Sequence, residues 1–253
     1  MAAVGIALRY GPGKGLPLAS MFQATEVAGK EDKYHRTAIE LTNQLLGSYE
    51  VVEVNVIAER ISLVHSSLMP SLYRMVTRGG SCNDTSKLSA NARRIVQLLK
   101  EKGTVTVGDT RKLLQVAGGQ REDPVYAALA ELQHCLLVDR GPFRMPEKGI
   151  LYLPKEGYPY HFFHEAHFDL ITEAEKLTVP QATDIFILKY LKGIRNEDKR
   201  LNRVAPDANL KKICSIFILF LHPDEIAAAL DRLAASKMLV LEKQGRTVLI
   251  RVN

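Results

Sequence analysis

The chain has 253 residues, enough for one large domain or two to three small ones, with 46% hydrophobic and 25% charged residues and no low-complexity tract. Its three cysteines, at 82, 135 and 214, are odd in number and fit neither a zinc spacing nor a disulfide framework, which points to reduced side chains in a cytoplasmic protein. The longest nearly uncharged apolar run, 213–221, is too short to cross a bilayer, and the net charge of +6 favours anionic partners over membrane insertion.

The opening MAAVGIALRYG has no basic leader before its apolar stretch, so 4–8 reads as a buried strand rather than a signal peptide. Gly11-Pro12-Gly13-Lys14-Gly15 is a turn. It is not a phosphate-binding P-loop, because no first Gly sits at the required distance and no Ser or Thr follows the Lys. Helices are predicted over 16–28 and 34–46. Val52, Val54 and Val56 then alternate with Glu53 and Asn55, the period of a half-buried strand, with 61–64 as its partner. A helix over 68–76 tolerates Pro70 in its first turn. The Gly, Ser, Asn and Asp residues of 79–84 form a linker that ends this first block.

The next block runs helix, strand, helix, helix, strand, strand. Ser89 caps a helix that Gly103 ends, and 104–106 is extended. Helices follow over 109–117 and 123–134, the latter capped by Asp123 with Pro124 at its first position. Strands 136–139 and 149–153 are expected to pair across a loop carrying Arg140, Arg144 and Lys148. In the last block, helices over 168–177 and 181–191 precede a basic stretch. From 189 to 212 eight basic residues stand against three acidic ones, a net of +5 in one segment. A helix over 224–235 and a hairpin over 238–252, with Lys243 and Arg246 flanking its turn, close the chain.

Two of these stretches repeat one order. Ala127-Ala128-Leu129, Leu132, an apolar strand and Gly141 correspond to Ala228-Ala229-Leu230, Leu233, an apolar strand and Gly245. Helix followed by hairpin is the back half of a winged helix, an architecture that meets DNA or serves as a protein adaptor. The expectation is an α+β, mainly helical chain of winged-helix modules, two clear and a third degenerate one near the N-terminus. The predicted division is 1–80, 85–157 and 158–253, the last with a basic insert at 189–212.

The predicted helices ahead of the wings expose Glu122, Asp123, Tyr126, Ala130, Glu131 and His134 in one case and Asp224, Glu225, Asp231 and Arg232 in the other. Such faces suit phosphates poorly. Phosphate contact therefore falls to Arg140, Arg144, Lys148, Lys199, Arg200, Arg203, Lys211, Lys212, Lys243 and Arg246. The first helix of the second block, with Arg93, Arg94 and Lys100, adds to them. His161, His164 and His167 drift around a helix at a spacing of three and do not match a zinc-protease motif, so no metal or cofactor is assigned. No nucleophile elbow, kinase set or dinucleotide fingerprint occurs, and no catalytic residue is assigned.

The segment LSANARRIVQLLKEKGTVTVGDTRKLLQ, followed by DPVYAALAELQHCLLVDRG, resembles the winged-helix block of bacterial proteins related to the AlkZ-type DNA glycosylases, over about 86–141. That resemblance implies tandem winged helices and a nucleic-acid context. Active members carry a Gln-x-Gln or similar catalytic pair, which this chain lacks; Gln23 alone lies in a comparable early helix. Three readings follow: a non-enzymatic protein binding double-stranded DNA, a repair glycosylase, and an adaptor with a protein partner.

Overall fold

A computed structural model describes residues 1–10, 18–26, 36–80, 85–117, 123–141, 159–200, 210–244 and 247–252. The N-terminal part runs β1 (Ile6–Leu8), β2 (Ala19–Ser20), α1 (Met21–Glu26), α2 (Arg36–Gly47), β3 (Val51–Ile57), β4 (Arg60–His65) and α3 (Met69–Thr77). Its strands form one sheet in the order β2-β1-β4-β3, with β1 parallel to β2 and the other pairs antiparallel. The expected pairing of the valine strand with 61–64 is present, Val52 lying opposite Val64 and Val54 opposite Ser62. Ala58 and Glu59 make the tight turn between these strands in left-handed conformations, and Ala58 donates its amide to Ile216. The valine strand is buried on both faces rather than one, because Glu53 also points inward. Residues 19 and 20 of the expected first helix are a strand, and the 11–15 turn lies outside the described residues.

The middle part runs α4 (Ala90–Lys102), β5 (Thr104–Thr106), α5 (Val107–Leu114), α6 (Pro124–His134), β6 (Val138–Arg140) and β7 (Pro159–Phe162). Local chemistry sets its boundaries. Ser89 accepts from the Ala92 amide, Gly103 stops α4 at φ +72°, and Thr106 and Asp109 form a reciprocal capping box on α5. Asp123 caps α6 by accepting from the Val125 amide. The sheet order is β5-β7-β6, all antiparallel. Among the described residues β6 pairs with 159–162; the expected partner 149–153 lies outside them. Tyr160 and Phe162 alternate inward. The sheet, α4 and α6 enclose a core of Ile95, Leu99, Val105, Leu129, Leu132, Val138 and Phe162, among others.

The remaining elements are α7 (Phe163–Ala166), α8 (Phe168–Glu175), α9 (Val179–Arg200), α10 (Leu210–Phe217), α11 (Pro223–Ala235), β8 (Leu239–Gln244) and β9 (Thr247–Val252), the last two an antiparallel ribbon. Helix α9 runs on through the first half of the basic stretch, so 189–200 is helix rather than linker. Its Gly193 lies so close to the N-terminal segment that a Cβ there would stand 2.2 Å from the Val4 carbonyl oxygen. Phe186, Tyr190 and Phe217 are fully buried with Ile6, Leu72 and Met75, so the first and last parts of the chain share one core. Among the described residues no helix is long and apolar enough to cross a membrane.

Candidate functional site

Where β3 meets β6, three charged side chains are buried together. Glu53 has a side chain only 1% exposed and takes two guanidinium groups, Arg9 on one carboxylate oxygen and Arg140 on the other. Arg140 Nε donates to Glu53 Oε1 at 2.6 Å. Burial works to lower the Arg140 pKa, but the adjacent Glu53 charge and hydrogen bond, together with the nearby Tyr160 and Tyr10, outweigh it and hold the guanidinium above its ordinary value. The Tyr160 phenol beside it is pushed up by burial. An ion cluster this dry is tolerable only because each charge is paired.

One residue earlier on β6, Asp139 faces two imidazoles. His167 Nε2 lies 2.6 Å from Asp139 Oδ2, and His161 Nε2 lies 3.9 Å from the same oxygen. An ionised carboxylate only accepts, so His167 Nε2 carries the proton and donates it to Asp139. The other carboxylate oxygen accepts the Arg140 amide. The ring of His167 packs against that of Phe163, with centroids 4.5 Å apart. A carboxylate holding an imidazole in one orientation is an arrangement able to position a water or relay a proton.

These groups line a cavity of about 390 Å³ between the two sheets, with Glu53, Asp139, Arg140, His161 and His167 on its walls. A second cavity of about 450 Å³ continues from it, sharing Tyr49, Val51, Val52, Ala166 and His167 and adding Phe168 and Asp169. The three histidines are thus split by the fold: His161 sits on β7, His164 in α7, and His167 at the junction before α8. His164 Nδ1 is buried without a partner. Among the described residues no group of three or more His, Cys, Asp or Glu is placed to hold a metal ion.

The sequence-predicted phosphate contacts fall on several elements or outside the described residues. Arg140 is not a solvent-facing wing residue: its side chain is 10% exposed and held by Glu53, because β6 is packed against β3. Arg144, Lys148, Arg203 and Arg246 lie outside the described residues. Lys199 and Arg200 end α9, Lys211 and Lys212 begin α10, and Lys243 is on β8. Lys189 donates from α9 to the Ala2 carbonyl at 2.6 Å.

The acidic faces expected on the two pre-wing helices are neutralised in part, Asp224 and Asp231 remaining exposed. Asp123 pairs with Arg111, and although burial works against ionisation the arginine holds its carboxyl below the ordinary value. Glu131 accepts from the Ser89 amide and hydroxyl. Glu225 pairs with Arg78, whose hydrogen bond lowers its pKa, and Arg232 pairs with Asp184. Helix α6 also packs on β3, which leaves His134 half-buried and closes part of the face that a groove-reading helix would offer. Sequence reasoning missed the Glu53 and Asp139 clusters; the one signal was a lone glutamate in an otherwise valine-rich strand.

No family model matches the sequence, and no curated protein matches it. Among solved structures the fold is similar to that of Streptomyces sahachiroi DNA glycosylase AlkZ, with a TM-score of 0.50 at 11% sequence identity. The alignment covers 85% of this chain and 55% of the other, so the chain spans about half the length of that protein. The resemblance carried by 86–141 is thereby joined by a likeness of fold over most of the chain.

Proposed function

We propose that this chain binds duplex DNA without reading it through a recognition helix, using winged-helix modules as a scaffold for basic surface. The observation that supports the reading is the middle part's topology, α4-β5-α5-α6-β6-β7 with sheet order β5-β7-β6, an order compatible with a helix-turn-helix followed by a wing. The C-terminal α11-β8-β9 order is proposed as a second, two-stranded version, and α2-β3-β4 as a degenerate third. The concentration of charge in 189–212 and the similarity to a DNA glycosylase fold support a nucleic-acid partner. Phosphate contact falls to Lys192, Arg195, Lys199, Arg200, Arg203, Lys211 and Lys212, together with Arg144, Lys148, Lys243 and Arg246. Arg140 leaves the set because Glu53 holds it.

The test is a fluorescence-anisotropy titration of duplex DNA against salt. Affinity should fall steeply as salt rises, since each neutralised phosphate releases counterions. Replacing Lys199, Arg200 and Arg203 with Ala should weaken binding to all sequences about equally and reduce the logarithmic salt slope by roughly one unit for each phosphate that is no longer neutralised. Absence of binding at micromolar protein and low salt defeats the reading.

A second reading, a DNA repair glycosylase, is favoured by the cleft with Asp139 on its wall, since base excision needs a pocket outside the duplex. Without a Gln-x-Gln pair, Asp139 and His167 are the groups placed to position a water. Formation of abasic sites in alkylated DNA, abolished in Asp139→Asn, is the outcome that would favour it over simple binding. The adaptor reading is weakened by the pairing of Asp123 with Arg111 and of Glu225 with Arg78, and keeps the exposed Asp224 and Asp231 of α11 in its support.

A further inference from the structure

We infer that the mouth of the cleft between β3 and α8 holds one unpaired nucleobase of the DNA, stacked on Tyr49 and Phe168; this rests on the DNA-binding reading. Both side chains are large, aromatic and left in solvent, 72% and 71% exposed. Both line the same cavity of about 450 Å³, whose floor is the buried pair Val51 and Val52. Neither ring contacts another aromatic side chain among the described residues.

Tyr49 is also held in a left-handed backbone conformation, at φ +58°. That region is costly for a bulky residue, and no packing of the ring offsets the cost. The turn is fixed instead by Ser66 donating its amide to the Glu50 carbonyl at 2.9 Å and by Tyr49 donating its own to Leu46. The backbone thus presents the ring outward at a fixed place beside the cavity.

The other groups on the walls define what enters. Glu165 and Asp169 are exposed at the rim and would repel a phosphate, so the sugar-phosphate chain stays outside and a base enters. Carboxylates accept from exocyclic amino groups. Deeper in, Asp139 and His161 offer an acceptor and a second imidazole. Adenine and cytosine combine a stacking face with an exocyclic amino donor and fit this lining, whereas thymine has no exocyclic amino group and offers only its ring N3–H.

The experiment compares the full chain on three labelled duplexes: fully paired, with one unpaired adenine or cytosine, and with one unpaired thymine. The adenine and cytosine bulges should bind about tenfold more tightly than the paired duplex, the scale of one stacked base. Thymine should gain little. Tyr49→Ala and Phe168→Ala should each remove most of that preference while leaving paired-duplex affinity and the melting temperature unchanged, and Tyr49→Phe should retain it. Equal binding of bulged and paired duplexes overturns the inference while leaving duplex binding intact. So does a Tyr49→Ala/Phe168→Ala double variant that keeps the preference. A thymine bulge bound as tightly as adenine overturns the assignment of the carboxylates. Failure to bind any of the three overturns the DNA-binding reading and this inference together.

Discussion

The two Ala-Ala-Leu helices end in the same way and then part company. In α6, Leu136 lies at φ +50° and the Leu137 amide donates to the Leu132 carbonyl at 3.0 Å. In α11, Lys237 lies at φ +58° and the Met238 amide donates to Leu233 at 2.9 Å. Both are left-handed caps closed by a six-to-one hydrogen bond, each followed by a strand. Beyond the caps, the middle part adds β5 as a third strand and keeps its own core, whereas β8 and β9 remain a two-stranded ribbon that leans on the shared core. The difference lies upstream. Thr104-Val105-Thr106 is a β-branched run between two helices, while α10 leads to α11 through Phe220-Leu221-His222 with no strand between them. A repeat in local sequence therefore builds the same corner twice and two different neighbourhoods around it.

The largest expected contrast is electrostatic. Glu53→Ala leaves the Arg9 and Arg140 guanidinium groups buried without their carboxylate, and should cost about 3–5 kcal/mol in urea-denaturation free energy. The ion pair that α11 makes with α9, Arg232 to Asp184, has side chains 42% and 25% exposed. Asp184→Ala should cost about 1 kcal/mol or less. Equal losses would mean that the middle part is not anchored to the N-terminal sheet through Glu53.

The shared cap gives a smaller contrast of opposite sign. Leu136→Gly relieves the left-handed backbone but removes a buried side chain, for a net loss of about 2–4 kcal/mol. Lys237 is exposed, so Lys237→Gly should gain about 0.5–1 kcal/mol. Thermal melts of the two variants moving in the same direction would break the equivalence.

The smallest effect concerns the N-caps of the helices. Hydrogen bonds from Lys102 and then from Thr106 hold the Asp109 carboxyl at about 2, against 3.8 in the unfolded chain. Its contribution is therefore present above pH 4 and lost as pH falls from about 4 to about 2. Asp109→Asn should cost about 1 kcal/mol at neutral pH, with the gap to the parent closing over that window. Glu225 on α11, lowered by Arg78, should behave in the same direction. A gap for Asp109→Asn that is constant from pH 7 to pH 2 would show that the cap does not depend on the carboxylate.

What the sequence by itself determined is what short-range chemistry controls. Ser89, Thr106 and Asp123 cap helices where their side chains reach amides two or three residues away, and Gly103 ends α4 because only glycine takes φ +72° without strain. The alternating valines specify β3, and the Ala-Ala-Leu repeat specifies the two corners. The tertiary structure alone decided what those elements meet. Arg140 reads as a wing cation by position, yet Glu53, 87 residues away, buries it. Asp139 and His167 become a pair only because β6 returns beside β7. The first and last parts share a core because α9 lies against α3 and the N-terminal segment, a close approach that Gly193 permits and that no local pattern announces. Charge pairing and burial are set by distance in space, and composition fixes how many charges exist without fixing which of them face the solvent.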